Sequence, residues 1–102
     1  MGFERWGYQF DGAYTDPALL SSRSGVYVIW CKKGDNWDVL DVGEAADVKE
    51  RVCNHERSSC WSRNCSGIIY YSATYTPNLQ QPGRKEIELR IRSLTNPPCG
   101  ER

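Results

Sequence analysis

Tyr27, Arg51, His55 and Glu88 are four residues whose types suit chemistry on a phosphate ester. Hydrolysis of a phosphodiester needs an activated water, a cation facing the phosphoryl oxygens and usually a metal ion near the leaving oxygen. Tyrosine or histidine can take a proton from the attacking water. Arginine is a permanently charged, bidentate phosphate clamp. One glutamate suits one hard divalent ion that keeps most of its waters, such as magnesium. The residue types answer these demands without singling them out, because each polar helix residue, taken alone, is an ordinary solvated position.

The elements that must position them are legible in the residue pattern. Strand formers alternate over 25–31 and again over 37–42, with the KKGDN segment as the hairpin turn between them. A third strand is expected over 67–74 and helices over 46–56 and 84–94, the last ended by the NPPCG segment. The SSCWSRNCSG stretch reads as a loop. Arg51 and His55 are four residues apart, so one helix face presents both. Glu88 flanks an apolar stripe of Ile87, Ile91 and Leu94, where a carboxylate can reach a cleft while the core holds its helix. Residues 1–23 read as an extended arm with a short helical turn around Pro17 to Leu20, and residues 24–102 as one domain. The expected class is α/β (α+β), with a small three-stranded, mainly antiparallel sheet flanked by helices.

The ordered set of motifs resembles the GIY-YIG nuclease superfamily. Gly25-Val26-Tyr27 stands for the first motif and Asp41-Val42-Gly43 for the second. Arg51 follows Gly43 at the family's spacing, His55 comes one turn later, and Glu88 precedes the proline-containing segment at Pro97. The resemblance covers about residues 24–100. It implies metal-dependent endonuclease action on DNA, with Tyr27 as general base, His55 assisting it, Arg51 on the phosphoryl charge, and Glu88 holding Mg2+ or Mn2+. Gly43, Lys49 and Arg84 are the expected substrate contacts. Two positions depart from the pattern: Asp41 replaces the tyrosine that opens the second motif, and Gly100 stands where an asparagine often follows the final helix. Asp41 in that place would hold a water, help bind the metal or orient Tyr27. The alternative reading is a catalytically inactive nucleic-acid-binding or protein-interaction module on the same fold.

Composition bounds the rest. The chain has 102 residues, 39% of them hydrophobic, which suits one domain with a modest core. Thirteen basic residues balance thirteen acidic ones, so strong non-specific DNA binding is not expected, and specificity is left to a particular DNA structure or a protein partner. A monomer is expected, without membrane contact. The first residues lack the apolar core of a signal peptide, which with the cysteine pattern predicts a cytoplasmic protein. The five cysteines are odd in number and lack CxxC spacing. They read as free thiols rather than a disulfide framework, and Cys53, His55, Cys60 and Cys65 fit no standard zinc spacing. Trp30 and Trp61 read as core or rim rather than as base-stacking platforms.

Overall fold

The computed structural model describes residues 2–100. Five strands and three α-helices follow one another as β1 (Gly2–Arg5), β2 (Tyr8–Tyr14), β3 (Gly25–Lys33), β4 (Asn36–Ala45), α1 (Val48–Cys53), α2 (Ser58–Arg63), β5 (Ile68–Tyr75) and α3 (Gln81–Thr95). The sheet is antiparallel throughout, in the order β1-β2-β5-β3-β4. The class is therefore α+β, but the sheet has five strands rather than three. The two additional strands come from the expected N-terminal arm. Its extended residues turn back on themselves through Trp6 and Gly7, both at positive φ, and β2 joins the free side of β5.

β3 is buried from Gly25 to Cys31 because both sides of the sheet are covered. On the front face Tyr27, Ile29 and Cys31 pack with Val48 and Val52 of α1 and Trp61 of α2. On the back face Val26, Val28 and Trp30 pack with Phe10 of β2 and Ile91 of α3. Leu94, expected in that buried stripe, is 57% exposed. Asp47 caps α1 by accepting the Glu50 N–H, and Asn96 in the left-handed region closes α3.

Two expectations about the chain's middle are corrected. The stretch after His55 is not all loop: α2 forms although its sequence has little apolar periodicity, because buried Trp61 and two covalent ties hold it. Those ties are Cys31–Cys65 and Cys60–Cys99, which leave Cys53 as the one free thiol. The expectation of five free thiols thus fails, since the pairs close over sequence separations of 34 and 39 that no local spacing rule registers. Disulfides persist in oxidising surroundings, so a reducing cytosol no longer follows from the cysteine pattern. Among the described residues no helix is long and apolar enough to cross a membrane.

Candidate active site

The site begins with a register. Tyr27 on β3 lies opposite Gly43 on β4, and its ring covers that glycine so closely that a Cβ there would overlap the phenol oxygen. This explains why β4 continues through Gly43 to Ala45 instead of breaking at the glycine. Glycine is needed for the close approach of a ring, not for a turn.

His55 follows α1 and is buried against this ring. Its Nε2 lies 2.6 Å from the Tyr27 hydroxyl, while its Nδ1 accepts the Arg57 backbone N–H at 3.0 Å. The second bond fixes the tautomer of the neutral ring: Nδ1 is an acceptor, so Nε2 carries the proton and donates it to the Tyr27 oxygen. Burial lowers the His55 pKa to about 4, helped by the positive charges of Arg57 and Arg51, so the ring is neutral near pH 7. Burial also pushes Tyr27 up to about 12, and the Asp41 charge acts in the same direction. Arg57 and Arg51 oppose that rise, while Glu88 adds to it. Tyr27 and His55 are therefore in direct contact, with Arg51 and Glu88 in electrostatic reach of the same hydroxyl.

Asp41 has a different place from those the motif suggested. It is fully buried and each carboxylate oxygen accepts two donors. Oδ1 takes Arg92 Nη2 at 2.7 Å and Arg57 Nη2 at 3.3 Å; Oδ2 takes Arg57 Nε and the Trp61 indole N–H, both at 2.8 Å. Arg92 also donates to the Val42 and Cys99 carbonyls and, at 3.1 Å, to Glu88. Asp41 and Glu88 are thus offset by buried Arg92, half-buried Arg57 and, on Glu88, Lys85. With its lone pairs so occupied, Asp41 is neither a water holder nor a free metal ligand. It ties β4, α2 and α3 together beside the Tyr27 ring. Arg57, Trp61 and Arg92 were missed from sequence, although the spacing of Arg92 one turn after Glu88 carried part of the signal.

The remaining predicted residues divide. Arg51 makes a bidentate pair with Glu56 at 2.6 and 2.9 Å, which lowers the Glu56 pKa to about 2 and raises that of Arg51. Both partners reach solvent, so this pair is open to exchange for a phosphate. Lys49 is half-buried on α1, one turn before Cys53. Arg84 is not available: its guanidinium is buried on Glu44 at 2.9 Å and the Leu79 carbonyl at 3.1 Å. Glu44 is accordingly committed to Arg84.

Glu88 is the carboxylate expected to hold a metal ion. Its Oε2 accepts from Arg92 at 3.1 Å and lies 3.4 Å from the Lys85 ammonium, which stands 3.5 Å from Oε1. Among the described residues no group of three or more His, Cys, Asp or Glu side chains is placed to hold a metal ion. Glu88 is thus a lone carboxylate, already paired with Arg92 and Lys85, and the described donors do not make a zinc site. No family model, no curated protein and no solved structure matches this chain.

Proposed function

We propose that the chain is a metal-dependent endonuclease of the GIY-YIG kind, hydrolysing DNA phosphodiester bonds beside the Tyr27–His55 pair. The observation that carries this reading is the Tyr27–His55 contact across Gly43, with the charges of Arg51 and Glu88 acting on the same phenol oxygen. Buried tyrosine–histidine pairs are ordinary in cores, but a pair flanked by an exchangeable arginine and a carboxylate is suited to phosphate chemistry.

In this mechanism Arg51 leaves Glu56 and clamps the scissile phosphoryl group, a charge-assisted contact that strengthens as the transition state develops. Tyr27 first loses its phenol proton to solvent and, as the phenolate, takes the proton of the attacking water, ending as the neutral phenol; burial opposes the first of these steps, so the rate rises with pH. His55, held as the Nε2–H tautomer by Arg57, donates to the phenol oxygen and so stabilises the phenolate from which the transfer starts; it is not itself the base. Glu88, with substrate oxygens and water, would hold Mg2+ or Mn2+; such an ion neutralises charge at the leaving oxygen when bound. Offsetting the Glu88 charge also removes one of the influences that keep Tyr27 protonated. Lys49 on α1 serves the DNA backbone beyond the scissile group. Asp41 acts only by positioning, so its presence in the second motif is compatible with activity.

The test is cleavage of supercoiled, branched and single-stranded DNA with magnesium or manganese, by wild type and by Glu88→Gln and Arg51→Ala. Metal-dependent cleavage lost in both variants is expected. Equal cleavage by all three proteins overturns the site, and none by the wild type on any DNA form leaves the inactive-module reading.

A further inference from the structure

The sheet's back face holds a second feature, unrelated to the Tyr27–His55 pair. Phe3, Trp30, Trp37 and Tyr70 line a recess of about 420 Å3, within the range of small-ligand sites, and no helix residue lines it. The β1–β2 hairpin curls over this face, bringing the Phe3 ring to 6.1 Å from Trp30 although β2 and β5 lie between their strands. Opposite it, Trp37 and Tyr70 stand 4.9 Å apart, and Trp37 remains 41% exposed. Rings that served only the core would be covered.

The charge beside these rings is of one sign. The Arg5 guanidinium sits 5.6 Å from the Trp30 ring centre and the Lys32 ammonium 5.7 Å from that of Trp37. Arg5 is the one charged residue in the lining, which has no carboxylate. Glu4 and Asp38 occupy alternate strand positions and project to the other face. In a chain of zero net charge this local bias is specific. Aromatic faces flanked by cations suit a planar ring attached to an anion. A neutral sugar would also stack, but its hydroxyls would meet no carboxylate acceptor here.

We propose that this recess binds unpaired bases of single-stranded DNA, which stack on Trp37 and Tyr70 while Arg5 and Lys32 meet the phosphates. Base–aromatic stacking combined with a cationic track is the general physics of sequence-tolerant single-strand binding. A duplex offers its rings only at the ends and cannot use the platform. The inference rests on the nuclease reading for its choice of DNA and deepens it, because it names an unpaired segment as the substrate class. Trp30 is three residues beyond Tyr27 on the same strand, roughly 10 Å along it and on the opposite face, so a bound strand would pass the edge at β4 to reach the front face.

The experiment is fluorescence anisotropy of a labelled oligothymidylate and of a blunt duplex of equal length, in EDTA, with the full oxidised chain. Expected are preference for the single strand, a loss of roughly 5- to 150-fold in affinity for Trp37→Ala, partial rescue by Trp37→Phe, and a shallower salt dependence for Arg5→Gln. Equal affinity for both DNA forms, no binding, or an unchanged Trp37→Ala overturns the proposal. So does competition by a neutral oligosaccharide, which would make the recess a sugar site. Single-strand binding that needs Trp37, without cleavage of any DNA, sinks the nuclease reading alone; cleavage without Trp37-dependent binding sinks this one alone.

Discussion

Replacing Asp41 with tyrosine would introduce the residue that opens the second motif of GIY-YIG nucleases, and the structure predicts that it unfolds the protein. Asp41 is fully buried and compensates Arg57 and Arg92 with four hydrogen bonds. Breaking a buried ion pair from one side typically costs about 3–5 kcal/mol, because the remaining charge stays buried and unpaired. Here Arg92 keeps only Glu88 and the partly exposed Arg57 only a 4.0 Å contact with Glu56, and a ring must enter a space filled by a carboxylate. Asp41→Asn isolates the charge effect. Each carboxylate oxygen accepts two donors, so an amide NH2 placed on either side faces donors only. The asparagine variant should therefore lose about 3–5 kcal/mol as well, a large part of the roughly 5–15 kcal/mol that a domain possesses. Urea denaturation of the oxidised proteins, followed by tryptophan fluorescence, measures this directly. A loss below about 1 kcal/mol for Asp41→Asn would refute the claim that this aspartate is a structural keystone.

Three further outcomes follow from the geometry. His55 titrates near 6.5 when unfolded and about 4 when folded, so the unfolded chain alone binds its proton between those values. Stability from this group is complete above pH 6.5 and falls by up to roughly 3 kcal/mol as pH drops toward 4; denaturation of His55→Gln should show that slope flattened. Gly43→Ala places a methyl group where the Tyr27 phenol lies, so a cost of about 1–3 kcal/mol and separation of Tyr27 from His55 are expected, read by thermal melting and by cleavage rate. Reducing the Cys60–Cys99 bond, which ties α2 to the segment that holds Arg92, should cost about 2–4 kcal/mol and lower the melting temperature; an unchanged melting curve with dithiothreitol counts against the pairing.

Much of the framework was legible because it is written in local patterns. The strand over 25–31 and the helix over 84–94 appear as β3 and α3 with extended ends. Tyr27 and His55 meet as the motif spacing implied. What escaped was long-range. β1 and β2 are aromatic and punctuated by glycine, and they become strands by pairing with each other and, through β2, with β5. The disulfides join residues that neither spacing nor parity relates. Asp41 looked like a site residue since its neighbours in the chain belong to a motif, whereas its partners Arg57, Trp61 and Arg92 come from two other elements. Arg84 looked free for the same reason, and its partner Glu44 lies forty residues away.

The central claim is that the Tyr27 hydroxyl handles the proton of the attacking water. Tyr27→Phe removes that oxygen and leaves the ring over Gly43, so single-turnover cleavage of a labelled single strand with saturating protein and magnesium isolates its contribution. The account predicts a folded variant whose cleavage rate falls by roughly 100-fold or more, the range for loss of a general base, with DNA affinity little changed. A phenylalanine variant that cleaves at the wild-type rate would contradict it.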